Sequence, residues 1–298
     1  MHTPSSKYLT LAALIVTATP VLTAQNPKPL PFNLPQAKPG VVALAASAKP
    51  GAGSQASALK GQYALSLRGA SVGGTSPSRE TTAVGSIVAD GRGHITSGVL
   101  DSNSAGMAGE TPVTGSYTLN ADGTGTVTLN ITSSNVETFT LFVSQEGGKV
   151  KSATLLESDS KAGASGSLVR QTVSGGPEGS FNFRLTGETF ETSGTPNAVA
   201  VGGTVDISQG LAQGIVSFFV GDAGHDTAFV IPPVALQATL TTPDQTGRFL
   251  FTFNFTPDGG SATQVQFVGY VVDSTHFNLL PVGPPSAFLP ILIGSAVQ

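Results

Sequence analysis

Gly61–Gly69 reads GQYALSLRG and Gly179–Gly187 reads GSFNFRLTG. Between the flanking glycines, Tyr63, Leu65 and Leu67 alternate with small or polar residues in the first stretch, as Phe181, Phe183 and Leu185 do in the second, 118 residues later. Strict alternation is the period of a half-buried strand, because side chains leave a strand on opposite faces in turn. An offset this long exceeds any solenoid or propeller unit, so it predicts a duplicated domain. Each copy ends on a similar phrase, GSLVRQ at Gly166–Gln171 and GSAVQ at Gly294–Gln298.

The alternation recurs in short runs ended by Gly, Asp and Asn, which predicts antiparallel sheet. In copy one the runs lie near 62–68, 81–89, 93–101, 113–120, 125–132, 137–144, 149–157 and 165–171. In copy two they lie near 180–186, 198–207, 211–220, 234–242, 247–255, 263–272, 275–281 and 290–297. Asp90-Gly91 and Asp122-Gly123 supply the positive φ angles of tight hairpins. A meander of eight strands can close and so abolish its edges. The expected fold is therefore all-β: two tandem antiparallel eight-stranded meander domains, up-and-down barrel-like, with a β-sandwich as the alternative. Leu119 and Leu129 of copy one fall on Leu240 and Phe251 of copy two, so the apolar face is kept while the wet face drifts.

Lys7, the apolar run Tyr8 to Val16, Pro20 and the small-residue exit ending at Ala24 have the layout of a secretory signal peptide. The expected mature start is Gln25, with cleavage after Ala18 as the alternative. The apolar run is too short to span a bilayer. Residues 25–58, with six prolines among Ala, Gly and Ser, read as a disordered linker. The two β domains then occupy 59–172 and 173–298, joined by a Gly175-Gly176-Pro177 hinge. A secreted or periplasmic location follows.

The chain holds no Cys, so no disulfide framework can hold it and each domain needs its own core. Only 11% of its residues are charged, 37 are Gly, and the net charge is −4. From Val173 onward, 9 acidic residues face only Arg184 and Arg248. Such a surface repels phosphate backbones, which argues against nucleic acid as a partner. An outer-membrane barrel is disfavoured by the missing aromatic girdles and the Gln298 end.

A G-x-Y/F opening with alternating residues, G-S/T-I/V before an Asp-Gly hairpin, G-S-Y-T-L before a second, and a terminal G-S-x-V follow one another at Gly61–Ala64, Gly85–Gly93, Gly115–Gly125 and Gly166–Gln171. In these the chain resembles the exported, Gly-rich β-repeat proteins found in many copies in some soil bacteria. The resemblance implies export and a β fold, and carries over no catalytic residue. Copy two departs from it at Ser208-Gln209-Gly210 and at Asp244-Gln245-Thr246-Gly247. A fainter likeness, in strand number and the G-x-Y/F opening, is to the calycin-type barrels of lipocalins and avidin, although the chain lacks Trp.

Candidate chemistry is sparse. Gly69-Ala70-Ser71-Val72-Gly73 has the spelling of a nucleophile elbow but follows a strand of an antiparallel meander, where that strained strand-to-helix turn has no place. Ser158-Asp159-Ser160-Lys161 spells S-x-x-K without its partner motifs. Asp222, His225 and Asp226 form the sole His-carboxylate cluster, a candidate metal site or, more simply, a polar turn. Of 16 Phe, 13 lie at or after Phe181. Phe249, Phe251, Phe253 and Phe255 share one face of a strand and Phe181 and Phe183 one face of another, which nominates them as the lining of a cavity for a small apolar ligand, or as plain core.

The sequence thus leads to a non-enzymatic secreted or cell-envelope binding or structural module. It needs no cofactor, and its partner is a protein or a small apolar ligand. A carrier using the Phe-lined interior of the second domain is the alternative, and a metal-dependent hydrolase at Asp222, His225 and Asp226 the weaker one.

Overall fold

A computed structural model describes residues 55–71, 80–104, 107–132, 135–158, 162–172, 175–190, 196–222, 227–255, 263–283 and 291–298. The expected signal peptide and all of the linker before Gln55 lie outside these residues.

Copy one contributes β1 (Lys60–Ser71), β2 (Glu80–Asp90), β3 (His94–Ser104), β4 (Met107–Pro112), β5 (Thr114–Leu119), β6 (Thr124–Asn130), β7 (Val136–Glu146), β8 (Lys149–Glu157) and β9 (Ala162–Arg170). Eight of these form an antiparallel ring, β1-β2-β3-β5-β6-β7-β8-β9, which closes where Tyr63 to Ser71 of β1 pair with Arg170 to Ala162 of β9. Copy two contributes β10 (Gly179–Phe190), β11 (Pro196–Ser208), β12 (Leu211–Asp222), β13 (Thr227–Leu240), β14 (Arg248–Phe255), β15 (Thr263–Asp273), β16 (His276–Pro281) and β17 (Ile291–Val297). These close into a second barrel through β10 and β17. Two tandem eight-stranded barrels are formed, and the sandwich alternative is displaced.

The alternating residues point inward as their period requires. Tyr63 and Leu65 are fully buried, as are Val127, Leu129, Phe139 and Leu141 across the first barrel. Closing so small a ring demands sharp bends, and both copies make them at equivalent inward glycines. A Cβ on Gly85 would lie 2.3 Å from the Val99 carbonyl oxygen, and one on Gly203 would lie 2.0 Å from that of Ile215. Gly166 and Gly294 repeat the arrangement on the closing strands, at 2.1 and 1.8 Å from the Ser66 and Arg184 carbonyl oxygens.

Turn chemistry is also duplicated. Asp122 and Asp244 each accept from the backbone N–H and the hydroxyl of the Thr two residues on, at 2.9 and 2.6 Å and at 2.7 and 2.6 Å. The second copy thus keeps this clamp although it has lost the Gly of Asp-Gly. At the other divergent hairpin, Gln209 and Gly210 both take positive φ, 52° and 75°. The hairpin geometry is retained there by Gln in a conformation that costs a side chain more than it costs glycine.

β4 is absent from the sequence expectation. It continues into β5 through Val113, and the whole run pairs with β3, but only the β5 half pairs with β6. Glu110-Thr111-Pro112 breaks the alternation, which hid the strand. Gln55–Ala58, expected at the end of the linker, instead close the lower end of barrel 1. Ala56–Ala58 form a 3-10 turn, Gln55 N donates to Leu119 O at 2.9 Å, and the buried Tyr117 hydroxyl lies 2.7 Å from Leu59 O.

The outer faces are not uniformly wet. Val84 of β2 packs with Val268, Tyr270, Leu280 and Ile293 of barrel 2 in a third apolar cluster, flanked by Val99 and Leu250. Beside it the Arg248 guanidinium donates to both oxygens of Asp101, at 2.8 and 3.0 Å, and ion-pairs with Glu110 of β4 at 2.9 Å. Tyr270 adds its hydroxyl to Asp101 at 2.6 Å. The Asp101 side chain is only 2% exposed, so its charge is carried by these donors. The Tyr270 hydroxyl is pushed well above its usual range, first by burial and then by the Asp101 charge. Gln171, just past β9, accepts from Ser86 at 2.6 Å and donates to Val271 O at 2.6 Å. Thr172 N donates to Val272 O at 2.8 Å, so the connector leaves barrel 1 already fastened to barrel 2.

Glu80 is buried near this interface, beside Arg68, but neither of its oxygens accepts a well-aligned hydrogen bond. Burial raises its carboxyl above the ordinary 4.5, the Arg68 charge opposes, and Glu188 of barrel 2 adds to the rise. A raised carboxyl pKa in the folded state favours folding at low pH, and that contribution is lost as pH climbs from the unfolded value through the folded one. Glu80→Gln is therefore expected to raise the melting temperature at pH 8, with the gain over wild type vanishing below about pH 4.5. A melting series across pH measures this. A second expectation concerns Gly269, where a Cβ would lie 2.2 Å from the Phe249 ring that covers it. Gly269→Ala should cost barrel 2 about 1–3 kcal/mol in urea denaturation, as overpacking does.

Candidate functional site

The aromatic residues of copy two come together, but as filling. Phe181 and Phe249 are each 1% exposed, Phe251 is buried, and Phe183 packs against the same cluster. Phe277 joins them edge-on, with ring centroids 5.0 Å from Phe181 and 5.4 Å from Phe249. The void left among Phe183, Leu185, Val216, Phe251, Phe267 and Leu279 is about 30 Å³, the volume of a single water. That space is too small for an organic ligand. The side chains of Phe253 and Phe255 lie outside the described residues, though both occupy β14.

Asp222 ends β12, where its backbone pairs with Thr227. Its side chain and the whole of His225 and Asp226 lie outside the described residues. Among the described residues no three His, Cys, Asp or Glu side chains gather as a metal site would require. His94 sits on a hairpin whose Asp90 accepts from the N–H groups of Arg92 and His94 at 2.6 and 3.0 Å. Desolvation pushes the Asp90 carboxyl up, but those N–H groups and the His94 side chain together outweigh it and hold the carboxyl down at about 2. Burial lowers the His276 imidazole, only partly offset by Asp273.

The spacious site lies elsewhere, at the upper end of barrel 1, opposite the Gln55–Ala58 cap. There the cavity measures about 370 Å³, within the range of small-molecule pockets. Leu67, Ala83, Leu100, Ile131 and Ala164 form its apolar part. Thr81, Ser102, Ser104, Asn135, Glu137 and Glu157 give it hydroxyl, amide and carboxylate groups. Its opening follows from the strand pairing: above Val113, β4 stays with β3 and leaves β6, so the wall parts between β4 and β6.

The inward rows show how the sequence builds this end. On β7 the inward positions run Leu141, Phe139, Glu137, on β8 Leu155, Glu157, and on β3 Leu100, Ser102, Ser104. Each row is apolar at mid-barrel and polar at its upper end. Period-two counting continued past the apolar residues would have found it; attention to aromatic density led to the filled barrel instead. Gly69 and Ala70 of the elbow-like spelling line the same end, where Gly69 lets β1 press against Ala164.

No family model matches the chain, and no curated protein matches it. Among the described residues no helix is long and apolar enough to cross a membrane.

Phe251→Ala tests the filled interior. Loss of a ring from a packed core should cost about 3–5 kcal/mol in urea denaturation.

Proposed function

We propose that the protein is a non-enzymatic, exported binding protein whose ligand enters the upper end of barrel 1. The observation that carries this reading is the 370 Å³ cavity with an apolar interior and a polar rim bearing Glu137 and Glu157. Apolar walls with a few placed polar groups are the usual composition of a site that captures a small organic molecule. The carboxylates of Glu137 and Glu157 at the rim favour a ligand that brings donors or positive charge, and a net charge of −4 adds to that preference. The ligand class is therefore a small amphiphile, its hydrocarbon part against Leu67, Ala83 and Leu100 and an amine head at the rim. Lys7, the apolar run Tyr8 to Val16 and the exit ending at Ala24 support export.

The test compares medium-chain primary amines with the matching alcohols by calorimetry. Wild type should bind the amine, and Glu137→Gln with Glu157→Gln should weaken it about 10–100-fold, the value of hydrogen bonds to a charged group. Ser102→Trp, on the rim of the cavity, should abolish binding while leaving the melting temperature nearly unchanged. If wild type takes up neither amine nor alcohol, the reading fails.

A further inference from the structure

The two barrels share one fold, and the chain packs them head to tail: the outer face of β2 and β3 of barrel 1 lies on the outer face of β15, β16 and β17 of barrel 2. An interface between unlike faces of like units leaves one of each face free. The free head is the outer face of β11 and β12 in barrel 2, and the free tail is the outer face of β7 and β8 in barrel 1.

Register identifies the equivalent residues. Gly85 pairs with Leu100 in barrel 1 as its counterpart Gly203 pairs with Val216 in barrel 2. Ile215 and Phe219 therefore occupy the places of Val99 and Asn103, which barrel 2 covers in barrel 1. At the tail, Thr126 and Arg248 each stand four residues after the clamping Asp and pair with Thr140 and Tyr270. Phe142 then stands where Val272 does, and Leu156, opposite Thr140, stands where Asn278 does, opposite Tyr270.

Val272 and Asn278 are buried, at 0% and 7% exposure. Their counterparts Phe142 and Leu156 are 47% and 52% exposed, and on the free head Ile215 and Phe219 are 49% and 40% exposed. Val230, which pairs with Phe219, is 68% exposed and extends the head patch. Large apolar side chains are thus left in water at the two places where the internal interface would repeat. Scattered apolar residues are ordinary on a surface, but a patch at each of two complementary faces is the mark of an interaction site.

We infer that a second copy of this chain docks its β7–β8 face on the β11–β13 face of the first, repeating the contact between the barrels. The contact is heterologous, so it passes on from copy to copy and does not close as a two-fold dimer. The inference is independent of the ligand site, which opens at a barrel end.

Analytical ultracentrifugation of the full-length mature protein tests it. The weight-average mass of wild type should rise with concentration through dimer to longer rows. Phe219→Asp and Phe142→Asp, both on exposed positions, should each remain monomeric with unchanged melting temperatures. A one-to-one mixture of the two variants should form dimer and nothing larger, because each lacks a different face. Wild type that stays monomeric up to millimolar concentration overturns the inference. So does association abolished by Phe219→Asp, unaffected by Phe142→Asp and not rescued in the mixture, which would mark a symmetric contact through the head patch alone.

Discussion

The pairing of the first strand with the last, β1 with β9 and β10 with β17, is the constraint on which the molecule depends. It closes each repeat into a ring whose ladders are satisfied inside one copy, with β4 as a spur paired on one side to β3. A chain without cysteine has no disulfide to hold a repeat together. Once both rings are closed no ladder is left to join them, and side chains make the contact together with one connector bond, Thr172 N to Val272 O. The contact between the barrels is accordingly an affair of outer faces: an apolar cluster, one bidentate ion pair and a glutamine that bonds to both sides.

Much of this was legible because barrel geometry and sequence share a period of two. Tyr63, Leu65 and Leu67, Phe181 and Leu185, and the strands they belong to, stand where alternation puts them. β4 escaped because Pro112 and its neighbours carry no alternation, and because its one partner strand is β3. The contact between barrels escaped for a related reason. On β15 every residue from Phe267 to Val272 is buried, so one face packs inward and the other against the neighbour. A run apolar on both faces says that a strand is covered twice, but does not say by what.

The candidate site shows a different limit. Aromatic density drew attention to barrel 2, where Phe181, Phe249 and Phe277 pack edge to face and occupy the space. Barrel 1 has fewer rings and ends its inward rows in Ser and Glu, and there the space remains. After duplication the two copies have kept the bends at Gly85 and Gly203 and at Gly166 and Gly294, while one interior filled and the other stayed partly open. The same divergence acts on the outside, where Asp101 in one copy corresponds to Ser217 in the other.

Closure by first and last strands also decides how the protein bears tension. In each barrel the chain arrives and departs at the same end, at Lys60 and Arg170 in one and at Gly179 and Val297 in the other. A force applied through those points does not slide the closing strands past each other along their length. It peels them apart one rung at a time, so each seam yields hydrogen bond by hydrogen bond.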